Sequence, residues 1–105
     1  LRGGVALAFR TMLKHTLDQG AGRLYIVDDE TSEEKGFLSY EVSPMGVADA
    51  QHTVVKPAYR GQGVAEELAK AFFVLAQEHG WQVRPSCPYV ASYMDRHPEL
   101  ERLRE

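Results

Sequence analysis

The sequence predicts a mixed domain of the α/β (α+β) class, with an antiparallel meander first and a parallel strand–helix–strand unit later. Three observations predict it. Residues 22–55 hold runs of aromatic and β-branched side chains broken by short turns. At Val64 the apolar period changes from about two to about 3.6. One more short strand and one more helix follow.

Residues 1–17 read two ways. Val5, Phe9, Met12 and Leu13 fall at helical spacing, while Met12-Leu13-Lys14-His15 equally begins a strand. Met12 is also a candidate natural start, which makes residues 1–11 an N-terminal extension and 12–105 the domain. From Gly22 the pattern sharpens. Residues 23–27, 36–42 and 47–55 read as three strands, joined by the acidic loop 28–35 and the turn Ser43-Pro44-Met45-Gly46. Connections this short imply antiparallel pairing. Val64, Leu68, Phe72, Leu75 and Ala76 then share one helix face, and Gly80 is a suitable stop. Residues 81–84 read as a strand ended by Pro85, parallel to strand 47–55 through a right-handed crossover. Pro88 suits the first position of a helix reaching Arg96, where His97-Pro98 breaks it, and residues 99–105 form a charged tail with a helix as one reading.

Bulk properties narrow the function. The 105 residues suit one domain, and 44% hydrophobic with 26% charged content is ordinary for a globular chain. A net charge of −3 argues against nucleic acid as partner but not against a small anion. A lone Cys87 excludes an internal disulfide and a cysteine-rich zinc site; no metal is expected, and the simplest setting is a reduced, cytoplasmic one. No apolar run approaches the roughly 18 residues of a membrane span. Leu1 to Phe9 is too short and poorly arranged for a secretory signal.

The main chemical signal is the segment Arg60-Gly61-Gln62-Gly63-Val64-Ala65 between strand and helix. A helix start presents unpaired N–H groups and a positive dipole end. Gly61 and Gly63 let the backbone approach an anion closely, and Arg60 adds a charged donor. Together they suit a phosphate or pyrophosphate. The Walker lysine and the third glycine of a dinucleotide fingerprint are missing. The bland alternative is a tight turn with a solvated arginine.

The loop matches the Arg/Gln-x-x-Gly-x-Gly/Ala pattern of the GNAT superfamily of N-acetyltransferases. With His52-Thr53-Val54-Val55, Pro85-Ser86-Cys87-Pro88-Tyr89-Val90 and Arg96-His97-Pro98-Glu99, the chain resembles the small single-domain YjdJ-type branch over residues 12–105. The resemblance implies a truncated GNAT core lacking much of the N-terminal helical cover of larger members. It implies acetyl-CoA as co-substrate, with its pyrophosphate on the backbone of residues 61–65. Strand 52–55 would diverge from strand 81–84, and groups near Thr53, Val54 and Val55 would bond the pantetheine arm and polarise the thioester.

Four side chains are candidates for catalysis. Pro88 at the first helical position puts Cys87 at the N-cap, where the helix end favours a thiolate; the plain alternative is a small buried cysteine. His52 is a candidate base, or a packed strand residue. Tyr89 and Tyr93 share a helix face, and the resemblance implies that a tyrosine here protonates the departing CoA thiolate; core packing explains both equally. His97 reads as a surface or capping residue, and Asp28-Asp29-Glu30 with Glu33 and Glu34 as a solvated loop, with attraction of a cationic amine substrate as the alternative. The functions implied are acetyl transfer to an amine, of a small molecule or a protein, through or beside Cys87, or CoA binding without turnover. A monomer or weak dimer is expected.

Overall fold

A computed structural model of the chain describes residues 11–105. Four strands come first: β1 (Thr11–Asp18), β2 (Ala21–Asp28), β3 (Glu34–Val42) and β4 (Val47–Val55). A 3-10 turn at Pro57–Tyr59 leads to helix α1 (Val64–His79), strand β5 (Gln82–Pro85), helix α2 (Pro88–Arg96) and a 3-10 turn at Pro98–Leu103. The sheet runs β1-β2-β3-β4-β5 in space. Its first four strands are antiparallel, and β5 lies parallel to β4. The expected mixed α/β sheet is therefore present, with its parallel pair joined through α1.

The meander has one strand more than the sequence predicts. Met12 and Leu13 belong to β1, so the strand reading holds there; Val5 and Phe9 lie outside the described residues. All eight residues of β1 are exposed, so burial imposed no sharp apolar alternation on this strand. Its hairpin turns on Gln19 and Gly20, at φ 51° and 87°, the doubly positive geometry a two-residue turn favours. Glutamine is an unusual first residue for that turn, which hid it. The C-terminal tail is also more ordered than its charge suggests. Leu100 and Leu103 are buried, and the Glu105 N–H donates to the Val83 carbonyl at 2.9 Å.

The core occupies one face of the sheet. Leu24, Ile26, Leu38, Tyr40, Ala48 and Ala50 alternate inward, as a strand's period of two requires. Val64, Leu68, Ala69, Phe72, Phe73 and Ala76 of α1 pack on them at i, i+4 spacing, and α2 adds Val90, Tyr93 and Met94. Burying each large side chain contributes on the order of 2 kcal/mol. Phe72 meets Tyr40 edge-on at 5.3 Å and Phe73 at 5.2 Å. Among the described residues both helices lie on this face. The other carries Tyr25 and Phe37 side by side, with the Arg23 guanidinium 4.9 Å and 4.5 Å from their ring centres. No helix among the described residues is long and apolar enough to cross a membrane.

Two bulges shape the sheet end that matters for function. Ser39 pairs with His52 but Tyr40 with Ala50, so Gln51 is an extra residue in β4. Before it Ala48 and Ala50 face the core; after it Thr53 and Val55 do, while His52 and Val54 are exposed. Ile26 pairs with Gly36 but Val27 with Glu34, which makes Lys35 an extra residue in β3.

Candidate functional site

β4 and β5 touch only over Val47–Ala50 and Gln82–Pro85. The last link is the Cys87 N–H, which donates to the Ala50 carbonyl at 2.8 Å. Beyond it the chain turns at Pro88 into α2, and among the described residues Gln51 to Val55 run on without a strand neighbour on that side. This is the divergence the sequence led us to expect. It leaves backbone donors and acceptors along one edge of β4, a ready surface for an extended amide-bearing ligand.

The glycine loop closes the wide end of the split. Gly61 and Gly63 sit at φ 82° and 81°, the left-handed region that glycine tolerates best. A Cβ on either would meet nothing within 4 Å, so the space above this backbone is open. Gly63 is the N-cap of α1, and no side chain caps the helix. Among the described residues the first-turn N–H groups thus lack a side-chain partner, as an anion cradle requires. Gly36 lets the loop sit close: a Cβ there would lie 2.6 Å from the Val54 oxygen and 3.0 Å from Val64 Cγ1.

Six of the predicted cofactor residues come together. Val55, Arg60, Gly61, Gly63, Val64 and Ala65 line a cleft of about 240 Å³ with Tyr59, Glu66 and Tyr89. Gln62 lines a neighbouring cavity of about 500 Å³ on the other side of the loop, together with Lys35. Thr53 and Val54 lie on the strand leading to the cleft. Glu66 and Glu67 in the first turn of α1 favour the helix but oppose a bound anion, so Arg60 has carboxylates to offset.

The four candidate catalytic residues separate. Cys87 is the N-cap of α2, as expected, but it is only 4% exposed. Its thiol donates to the Thr53 hydroxyl at 3.4 Å. His52 does not join it: neighbouring strand residues alternate faces, and His52 is exposed where Thr53 turns inward. Tyr89 borders the cleft, half-buried. Tyr93 does not; it is 5% exposed and stacks between Phe73 at 5.6 Å and His97 at 4.0 Å. Burial first, and then nearby Glu66, holds the Tyr93 hydroxyl above the ordinary tyrosine range. His97 does act as a cap, its Nδ1–H donating to the Tyr93 carbonyl at 2.8 Å.

Three neighbours of the site escaped the sequence reading: Lys35, Gly36 and Tyr59. The Tyr59 hydroxyl donates to Glu33 at 2.7 Å, a bond that raises its pKa. That tie pins the 3-10 turn ahead of the loop to the acidic segment before β3. Glu33 and Gly36 were both visible, but only the strand register shows that they border the loop. Among the described residues no three His, Cys, Asp or Glu side chains cluster as metal ligands would.

The split parallel pair and the glycine-rich helix start define a domain of the acetyltransferase class. The chain belongs to the GCN5-related N-acetyl-transferase family, whose profile it matches over residues 23–103. It is similar to Protein NATD1 of mouse and of human, each 37% identical over 73 residues. The matched segment is 67% of this chain and 66% and 65% of those proteins, just under two thirds of their length. Among solved structures it resembles a GCN5-like protein from Staphylococcus aureus, with a TM-score of 0.64 and 22% identity over 89% of this chain and 88% of that one. It also resembles a ribosomal-protein-alanine N-acetyltransferase from Brucella melitensis, with a TM-score of 0.57 and 21% identity over 76% and 62%. At such identities the structural likeness speaks for the fold.

Proposed function

We propose that this chain uses acetyl-CoA to acetylate an amine, as a member of the small single-domain branch of its family. The observation that carries the reading is the alignment of two features. The free edge of β4 leads directly into a cleft walled by the uncapped start of α1. An extended chain ending in a pyrophosphate matches that sequence of surfaces. When bound, acetyl-CoA supplies an acyl group activated as a thioester.

The protein's own groups have distinct tasks in this reading. The backbone of Gly61 to Ala65 holds the pyrophosphate, with Arg60 as a charged donor. The edge of Thr53 to Val55 bonds the pantetheine amides and stabilises negative charge developing on the thioester oxygen. His52, exposed beside the open sheet face, accepts the proton of an incoming amine. Tyr89, on the cleft wall, returns a proton to the departing sulfur.

The reading favours direct transfer. Cys87 is sealed from solvent and bonded to Thr53, with no base against it among the described residues, so a thioester has no approach to its thiol. It acts instead as a packing residue that ties α2 to β4.

Isothermal titration with acetyl-CoA, followed by a CoA-release assay over primary amines and basic peptides, tests the proposal. We expect one-to-one binding and amine-dependent release. Binding without release from any amine would favour a CoA-binding module, and no binding would end both readings.

A further inference from the structure

Lys35 is the one buried charged residue among those described, at 3% exposure. It occupies the extra position of the β3 bulge, where its carbonyl accepts the Lys56 N–H at 2.9 Å. Its Nζ lies 5.1 Å from the centre of the Tyr59 ring, and among the described residues no hydrogen bond or ion pair engages the ammonium. Asp28 feels the Lys35 charge across a gap longer than an ion pair, and its Oδ1 also accepts the Glu30 and Thr31 N–H groups at 2.8 Å and 3.0 Å. Lys35 lines the 500 Å³ cavity together with Gly61, Gln62, Gly63 and the first residue of α1; Glu67 stands at its wall.

An ammonium withdrawn from water without a direct ion-pair partner is costly to bury. The Tyr59 ring face and the more distant Asp28 carboxylate offset part of that. The same cavity is bordered by a helix start whose N–H groups have no side-chain cap. Both deficits are of one sign, and one ligand chemistry answers both.

We propose that Lys35 is an anion-binding residue, placing a phosphate group in this cavity between its ammonium and the Gly61–Val64 backbone. The proposal rests on reading the loop as a phosphate cradle and extends it to the opposite side of the loop. The phosphate has two possible sources, CoA itself or free phosphate, and the bound chemistry is the same.

The test is titration calorimetry of the full chain with acetyl-CoA, dephospho-CoA and inorganic phosphate, using wild type, Lys35→Met and Lys35→Arg. Methionine keeps the aliphatic volume and removes the charge; arginine keeps the charge. We expect Lys35→Met to weaken acetyl-CoA at least tenfold and Lys35→Arg to stay within about threefold. A loss shared by dephospho-CoA assigns the pyrophosphate; a loss confined to acetyl-CoA assigns the 3′-phosphate. A loss seen only with inorganic phosphate assigns a free ion. Lysine Nζ and Cε resonances of the wild-type protein give a readout that needs no variant, with Lys35 shifting on saturation by one of the three ligands. Unchanged binding of all three to Lys35→Met, or an unmoved Lys35 resonance at saturation, overturns the proposal. If wild type binds phosphate through Lys35 but not acetyl-CoA, the acetyltransferase reading fails and this one stands.

Discussion

The Cys87 thiol donates to the Thr53 hydroxyl at 3.4 Å, joining the N-cap of α2 to the part of β4 that has left β5 behind. This contact holds the split at a fixed width without a strand ladder. Cys87→Ser offers the same donor in a smaller group. We expect it to keep turnover within about threefold and to cost about 1 kcal/mol of stability. Intact-protein mass spectrometry after incubation with acetyl-CoA should find no acetyl group on Cys87. A stoichiometric adduct on that residue, with ping-pong kinetics, would restore the covalent route.

Gly22 and Tyr40 form a second pair, across β2 and β3. The ring lies over the glycine so closely that a Cβ would sit 2.1 Å from Cζ. Tyr40 is 1% exposed and held by Phe72 and Trp81, so the ring has little room to move. Gly22→Ala should destabilise the fold by about 3 kcal/mol, the upper range for overpacking. Urea unfolding measures it. Adding Tyr40→Leu should recover part of the loss, because the two sites share one space.

Tyr40 also links stability to pH. Burial pushes its hydroxyl up to about 12 from an unfolded value near 10. Between pH 10 and 12 the unfolded chain releases a proton that the fold retains, so stability falls as pH rises, by at most about 2.7 kcal/mol from this group. Its hydroxyl and His15 Nε2 are 2.6 Å apart. Partial desolvation first, where its ring edge meets Tyr40, and then His79, holds the largely exposed His15 below its ordinary 6.5. The unfolded chain therefore protonates first as pH drops through 6.5, and stability declines on that side as well. Tyr40→Phe should flatten the alkaline limb and His15→Gln the acid limb of a urea-midpoint-against-pH curve. Limbs that keep their slopes in the variants would assign the dependence to other groups.

Much of this architecture was legible in the residues, for physical reasons. Strands β2 to β4 and helix α1 bury one face, and burial stamps a period on the sequence. β1 buries nothing, so its pattern was ambiguous. The loop could be read because glycines at a helix start have few other uses. The separation of His52 from Cys87 could not: the bulge at Gln51 inverts which residues face the core, and a bulge leaves no mark in the sequence. Lys35 was hidden likewise, since a lysine in an acidic run reads as solvated until the register buries it.

The two tyrosines of α2 should divide by role. Tyr89→Phe removes a hydroxyl beside the cleft and should lower kcat about a hundredfold, with little change in the KM for acetyl-CoA. Tyr93→Phe alters a core residue and should leave kcat within about twofold. His52→Gln should lower kcat at least tenfold. Steady-state kinetics over pH checks all three, and equal effects at Tyr89 and Tyr93 would contradict the assignment.

Backbone amide NMR under titration with acetyl-CoA tests the cradle most directly. The account predicts saturable one-to-one shifts, largest at Gly61, Gly63, Val64 and Ala65, with a second group at Thr53 to Val55. Gly63→Ala, strained at φ 81° and projecting a methyl into the open space, should weaken binding at least tenfold. Saturation with those amides unmoved, or shifts confined to another surface, would contradict it.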